Sequence, residues 1–389
     1  MNIIYLLNTT SASAGSSKSF LHLLEEARRH HNVLVVVPDR GEMYEILTAM
    51  GVRVEVLRYI FNMRPYLTTT KDKLIFPLRY VRLKMLNYLA SRRLDKIARE
   101  FKADLYHANT SVTEIGYLSS RRTGIPHLTH VREYGLPDHH MHIPGQSRRL
   151  HSPNCHTICI TRDIASYHKL LDADSNRVIY NPIVSEADFT WQPDKEDYLL
   201  YAGRINVTKG VYELIDAFIA YARRNPDGLN LRLAGSYKGA RYEAIVAACN
   251  ERLEQAGVRQ RVEWLGDVRD VQQLMMRARA VVVPSLFEGF GRVAPESMAA
   301  GALFIGRDTG GTHEQFDNGL RLTGAEIGLR FTTTEEMARR FEEAEHMGPA
   351  DYKGYVERAQ HTVRELYLDK VSVARVMEFY AEIARKSSK

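Results

Sequence analysis

At 389 residues, with 44% hydrophobic and 26% charged side chains, the chain is too long for one ordinary core and too apolar for disorder, so two domains of roughly 150–200 residues are expected. Three cysteines, Cys155, Cys159 and Cys249, argue against a disulfide framework and for a reducing compartment. The net charge of +6 is uneven: residues 58–102 carry twelve Lys/Arg against Asp72, Asp95 and Glu100, a local +9 that singles out one face for an anionic partner.

The chain opens with MNIIYLLNTTSASAG. Ala12-Ser13-Ala14 imitates a signal-peptidase site, but no cation precedes it and the apolar run is short, so a first strand and a loop are expected. Further strands are predicted at 32–38, 52–57, 103–108, 125–131 and 156–160, with helical stretches between them, the longest at 74–101. Several are near-continuous Val/Ile/Leu runs, the pattern of a parallel sheet covered on both faces. The loops at 58–73 and 132–155 are long for a compact unit. The polar stretch SEADFTWQPDKED, 185–197, is the expected linker. A second strand series follows at 197–203, 229–235, 261–266, 279–285, 302–306 and 327–331, with helices such as 209–224 in the gaps. Two such blocks predict two doubly wound α/β domains. Ligands in these sheets bind outside the carboxyl ends of the strands, and a cleft between two facing domains is the default site. No apolar run approaches the ~20 residues of a membrane span.

Three strand ends in the second block carry chemistry. In YAGRINVTKGVYELI, Gly203 ends a strand, Arg204 follows, and Lys209-Gly210 opens a helix. Two cations beside a helix N-terminus suit a phosphate, because the unpaired N–H groups and the helix dipole add to their charge. Taken alone, they read more simply as solvated surface cations. In RVEWLGDVRD, Gly266 and Val268 lie in a turn whose backbone can meet a nucleobase edge, or that merely connects strand to helix. In PSLFEGFGRVAPES, Glu288 and Glu296 are eight apart, Gly289 and Gly291 permit close backbone approach, and Pro295-Glu296 suits a first helical turn. Singly, Glu296 reads as a helix-dipole acid and Glu288 as a loop acid.

Together these elements resemble the family-4 glycosyltransferases, retaining enzymes of the GT-B fold. The matching features are Gly203-Arg204 with Lys209-Gly210, then Phe287-Glu288-Gly289-Phe290-Gly291 through Glu296, an E-x7-E motif. Also matching are Leu233-Ala234-Gly235, Trp264-Leu265-Gly266, Gly310-Gly311-Thr312-His313-Glu314 and Asn318-Gly319. The resemblance is strong over 197–331 and weaker before, where Asp104 to Ala108, Thr161 and Asn181-Pro182 fit the family's order.

The resemblance implies an α/β, GT-B architecture: two doubly wound Rossmann-like domains facing across a cleft. They are an acceptor-side domain at 1–185 and a nucleotide-sugar domain at 195–365, with a final helix, 366–389, that relatives return to the first domain. It implies a retaining transfer of a hexose-type sugar from a nucleoside diphosphate donor to a glycan or lipid-linked glycan in cell-surface polysaccharide assembly, lipopolysaccharide included. Arg204 and Lys209 would neutralise the leaving diphosphate. Glu288 would stand beside donor-sugar hydroxyls, Glu296 would take the ribose, and the backbone of Gly289, Phe290 and Gly291 would hold sugar and phosphate. Gly203, Gly266 and Val268 complete the donor side. The first loop, Ser11 to Lys18, has one glycine, Gly15, where the family often has a pair; its implied role is closing over the diphosphate. Where the family often has His followed by an acid, this chain has His130-Val131-Arg132-Glu133, so which of His130, Arg132 and Glu133 meets the acceptor stays open.

Twelve of the fifteen histidines precede residue 170, but His139, His140 and His142 with Asp138 lack a standard ligand spacing. No metal or other cofactor is expected. Residues 58–102, with Tyr59, Phe61, Tyr66, Phe76, Tyr80 and Tyr88 among the cations, are candidates for an anionic membrane surface; nucleic acid is not an expected partner, because no recognition module accompanies the charge. The expected location is cytoplasmic, leaving open peripheral attachment to the inner face of the cell membrane. Two other readings remain: a sugar-nucleotide epimerase on the same fold, and a sugar-nucleotide-binding module without turnover.

Overall fold

The computed structural model describes residues 1–12, 14–65, 70–136 and 141–387. It divides into Met1–Pro182 with Ser372–Lys389, called unit 1 here, and Ile183–Val371, unit 2.

Unit 1 contains β1 (Asn2–Leu6), β2 (Asn32–Val37), β3 (Arg53–Val56), β4 (Arg64–Pro65), β5 (Leu105–Ala108), β6 (His127–Val131), β7 (Met141–His142), β8 (Cys155–Cys159) and β9 (Asn176–Val178). Seven of these form one parallel sheet in the order β3-β2-β1-β5-β6-β8-β9, and β4 pairs antiparallel with β7 outside it. The alternation along β1 explains the layers. Ile3 and Tyr5 join the cluster that holds Phe20, Leu24, Val376 and Tyr380, whereas Ile4 and Leu6 join the one that holds Leu94, Ala98 and Phe101. Both faces are therefore dry, and each fully buried large side chain contributes about 1.5–3 kcal/mol. Helix Asp369–Ser387 supplies Val373, Val376, Phe379, Tyr380 and Ile383 to this core.

Unit 2 contains β10 (Glu196–Ala202), β11 (Asn230–Ala234), β12 (Val262–Gly266), β13 (Ala278–Val283), β14 (Leu303–Arg307) and β15 (Leu329–Phe331), all parallel in the order β12-β11-β10-β13-β14-β15. Helix Val211–Arg224 buries Val211, Leu214, Ile215, Phe218, Tyr221 and Ala222, the 3–4 spacing of one helical face against a sheet.

The strands expected from the sequence end within two residues of those observed. The short β4, β7 and β9 were not expected. The unit boundaries differ more. The chain changes units at Pro182–Ile183 rather than near 185–195, and again at Val371–Ser372. Local pairing is the reason: Ile183 N–H donates to Tyr367 O at 3.2 Å and Asp369 N–H to Val184 O at 2.8 Å. The stretch expected as a linker is likewise tied into unit 2. Thr190 N–H donates to Ala299 O, and Lys195 Nζ donates to Met276 O and Gly301 O. Among the described residues, no helix is long and apolar enough to cross a membrane.

Candidate functional site

In unit 2 the chain lays β11 and β12 on one side of β10, then returns to place β13 on the other. The loops leaving the carboxyl ends of β10 and β13 are thus neighbours where the strand order reverses, the place where a doubly wound sheet opens a crevice. Leu286 N–H donates to Thr208 O at 3.1 Å and joins the two loops. Gly210, with φ of 70°, packs so closely that an added Cβ would stand 2.0 Å from Pro284 O. That contact fixes Lys209, one residue earlier, over the second loop.

Lys209 Nζ meets Glu288 Oε1 at 2.6 Å, and Ser285 Oγ donates to the same oxygen at 2.7 Å. Glu288 is 15% exposed at its side chain and Lys209 36%, so the pair is shielded yet reachable. Glu288 Oε2 has no hydrogen-bond partner among the described residues. Arg204 is exposed and forms no ion pair among them. Its carbonyl accepts from Tyr201 Oη at 2.7 Å, which pins the loop while leaving the guanidinium out. The site therefore offers one free guanidinium, one compensated ammonium, and one open carboxylate oxygen.

The loop after β13 is held from behind. Gly311 N–H donates to Glu288 O at 2.8 Å, and Gln315 Nε2 donates to Phe290 O at 2.6 Å. The Phe290 side chain is buried and packs edge-on against Tyr367, with ring centroids 5.6 Å apart. Its ring is thus an anchor for the loop, and the backbone of Gly289, Phe290 and Gly291 is the part left as candidate for contact. Helix Val293–Ala299 begins two residues earlier than Pro295 suggests, placing Glu296 within its first turn, where Arg292 Nη2 lies 3.3 Å from Glu296 Oε1. Gly203, Gly235 and Gly266 line up across the ends of β10, β11 and β12 through Gly203 N–H to Ala234 O at 2.9 Å and Gly235 N–H to Gly266 O at 2.8 Å. A Cβ on Gly235 would fall 1.7 Å from Gly203 O, so a side chain there would push the Arg204 loop away. Val268 follows Gly266 on the same edge and is half-buried.

The remaining site candidates belong to unit 1. Gly15 begins helix Gly15–His30, whose Ser16 carbonyl accepts from Asn109 Nδ2 at 3.1 Å. Arg132 donates from Nε to Asn109 O at 2.8 Å and from Nη2 to Asn109 Oδ1 at 3.0 Å, and its Nη1 bonds Asn181 Oδ1. Glu133 is buried, accepting from Ser111 Oγ at 3.0 Å. His130 is buried too, its Nδ1 lying 2.7 Å from His107 Nε2, while His107 Nδ1 lies 2.6 Å from Tyr380 Oη. Burial, reinforced by the Arg132 charge, holds both imidazoles well below the usual histidine range. All three candidates are engaged within unit 1: His130 in its core, Arg132 and Glu133 in clamps between loops. Sequence reading gave no role to Ser285, Asn109 or His107; Ser285, three residues before Glu288, and His107, inside the matching stretch Asp104 to Ala108, had a local signal, and Asn109 had none.

His139 and His140 lie outside the described residues, and so does Asp138; His142 is exposed on β7. Among the described residues no group of three or more His, Cys, Asp or Glu could hold a metal ion. The three cysteines are free and buried, and burial pushes Cys155 up to about 11 and Cys159 and Cys249 up to about 12, so they are unreactive thiols.

Residues 196–344, which hold every unit 2 candidate, match the family model described as "Glycosyl transferases group 1". An uncharacterized glycosyltransferase of Methanocaldococcus jannaschii is 32% identical over 157 residues, 36% of this chain and 38% of that protein. The alpha-maltose-1-phosphate synthase of Mycolicibacterium smegmatis is 26% identical over 245 residues, 58% of this chain and 60% of that protein. The matched region thus spans less than two thirds of these relatives. The crystal structure of Anabaena HepE in complex with UDP is similar with a TM-score of 0.75 at 19% identity, covering 98% of this chain and 100% of that one. The fold is GT-B.

Proposed function

We propose that the chain is a retaining, family-4-type glycosyltransferase that moves a hexose-type sugar from a nucleoside diphosphate donor to a glycan or lipid-linked glycan in cell-surface polysaccharide assembly. The observation that carries this reading is the cluster at the ends of β10 and β13. There Arg204 forms no ion pair among the described residues, Lys209 and Glu288 are paired at 2.6 Å, and Glu296 stands one helical turn beyond a glycine-rich loop. A diphosphate entering this loop pair competes with Glu288 for Lys209. Glu288, released, turns both oxygens to vicinal sugar hydroxyls, for which an ionised carboxylate is an acceptor-only partner. Arg204 and Lys209 then face charge that grows as the bond between the anomeric carbon and the diphosphate oxygen breaks. The acceptor hydroxyl forms its bond on the face just vacated, and its proton passes to the leaving phosphate. Glu296 takes the ribose.

No metal enters this scheme, because the two cations occupy the role a divalent ion would otherwise fill beside the phosphates. The match of 196–344 to the glycosyl transferases group 1 model supports transfer over epimerisation or binding alone. Since the similar HepE structure contains UDP, UDP heads a thermal-shift panel with GDP, ADP and TDP. The right nucleotide at a hundred times its dissociation constant adds about 2.7 kcal/mol of stability. The matching nucleotide sugar is then incubated with candidate acceptors in EDTA, and the product anomer is read by NMR. An isomerised donor without acceptor, an inverted anomer, or activity lost in EDTA and restored by Mn²⁺ would each overturn a named part of the reading.

A further inference from the structure

Helix Thr70–Phe101 has two apolar faces where folding requires one. Its inner face, Leu83, Asn87, Ala90, Leu94, Ala98 and Phe101, is buried at the 3–4 spacing of a single stripe. On the opposite side, at the same spacing, stand Leu74, Leu78, Val81, Met85, Tyr88 and Leu89, which are 53% to 75% exposed. This second stripe runs roughly 22 Å along the axis. Further along the same face the residues become Arg92, Lys96 and Arg99, all exposed, with Arg82 and Arg93 on one flank. The loop 58–64 adds to the stripe. Asn87 holds it with two 2.8 Å bonds to the Ile60 backbone, leaving Ile60 and Phe61 exposed, and Arg64 lies 4.9 Å over the Phe76 ring.

We propose that this outer face is a docking surface for an anionic lipid bilayer. The inference stands apart from the nucleotide-sugar reading, since it rests on the helix and the loop 58–64 that Asn87 holds against it. A contiguous apolar stripe of this size on a water-soluble fold marks an interaction surface. The charge beside it selects the occupant. Exposed Arg and Lys flank and continue the stripe while, among the described side chains of the helix, Glu100 is the one exposed acid, so the complementary surface is anionic. Long aliphatic stems let those cations sit at a headgroup plane while Leu and Met enter the acyl boundary, the arrangement of a helix lying in an interface. The structure also corrects the aromatic expectation for this segment. Tyr59 is buried with its hydroxyl bonded to Leu7 O, and Phe76 and Tyr80 are half-buried and stacked on each other. Aliphatic side chains, with Phe61 and Tyr88, form the exposed stripe instead.

The test is flotation of the full chain with phosphatidylglycerol vesicles and with phosphatidylcholine vesicles, at low and high salt. The expected result is partitioning onto the anionic vesicles at least tenfold above the neutral ones, reduced by salt. Leu78→Glu/Met85→Glu lowers it tenfold or more, and Arg92→Glu/Lys96→Glu lowers it while removing most of the salt dependence. All four positions are exposed, so circular dichroism is expected to be unchanged. As an independent readout, Leu78→Trp gains a blue-shifted emission on anionic vesicles that brominated lipid quenches. Absence of wild-type binding at low salt, undiminished binding of Leu78→Glu/Met85→Glu, or an unshifted Leu78→Trp overturns the proposal. So does a dimer in analytical ultracentrifugation that Leu78→Glu/Met85→Glu dissolves without changing flotation, which would assign the stripe to a second copy of the chain.

Discussion

Two glutamates occupy corresponding places in the two sheets. Glu114 follows β5 and Glu288 follows β13, each on the loop after the strand that flanks the first strand of its unit where the order reverses. Their surroundings differ. Glu114 is 3% exposed and receives Asn62 Nδ2 at 2.7 Å, Lys84 Nζ at 2.7 Å and Asn87 Nδ2 at 3.0 Å, with Arg149 Nη1 3.8 Å away. Glu288 receives one lysine and one serine on a single oxygen. A carboxylate with both oxygens satisfied in a dry setting is part of the frame, since exchanging any partner leaves a buried charge uncompensated. A carboxylate with an open oxygen and a half-exposed cation can trade partners with a ligand. Topology thus gives both units the same crevice, and the loops decide which one keeps its charges available.

The histidines differ between the units in one respect: the buried ones among the described residues, His107, His127 and His130, all lie in unit 1, whereas His313, His346 and His361 of unit 2 are exposed, as His30, His142 and His151 of unit 1 are.

Breaking the frame is expected to have the largest effect. Glu114→Gln leaves Lys84 and Arg149 facing a neutral group and lowers stability by about 3–5 kcal/mol, read as a shifted urea midpoint. Hydrogen exchange resolved along the chain should place the loss in unit 1; equal loss in unit 2 would dissolve the contrast. Acid should act nearly as strongly on the same unit. Burial holds His127 down to about 3, and His107 and His130 well below the ordinary range, so below pH 6.5 the unfolded chain takes up protons that the folded rings refuse. The stabilisation is complete above that pH and fades toward acid, at about 1.4 kcal/mol per pH unit for His127, with His107 and His130 acting in the same direction. Unfolding midpoints between pH 7 and 5 check it, and a flat profile would mean that these rings are charged in the fold.

On the other side of the comparison, Arg204→Ala or Lys209→Ala is expected to cost about a hundredfold in turnover, ~3 kcal/mol, with less effect on donor binding and little on stability. Steady-state kinetics beside the thermal-shift series separates these; turnover equal to wild type would remove both residues from the chemistry. The smallest effect sharpens the picture of Glu288. Ser285→Ala removes one bond to Oε1, about 1 kcal/mol, and is expected to lower kcat/KM about fivefold, whereas Ser285→Thr restores it. Loss of stability without loss of kcat/KM would make Ser285 a structural residue only.

Much of this was legible in advance where the signal was local. Val/Ile/Leu runs at regular spacing marked the main strands of both sheets. Glycines at strand ends followed by Arg204, Lys209, Glu288 and Glu296 marked the loops that the fold brings together. The short β4, β7 and β9 carry too few residues for a periodic signal. The boundary after Pro182 was illegible because pairing with Tyr367 to Asp369, nearly two hundred residues later, decides it.

By itself, then, the sequence determined the two strand–helix series, the placing of glycine and charge at particular strand ends, and the cationic stretch at 58–102, since each depends on neighbours within a few residues. Tertiary structure alone decided that Lys209 pairs with Glu288, 79 positions away, and that Gly235 must lack a side chain to admit Gly203 O. It also sank His130 beside His107 and left Leu74, Leu78 and Met85 on the outside of their helix. Hydrophobic periodicity names the faces of an element. Which face meets a neighbour, and which polar groups lose their water, follows from the order in which strands far apart in the chain come to lie side by side.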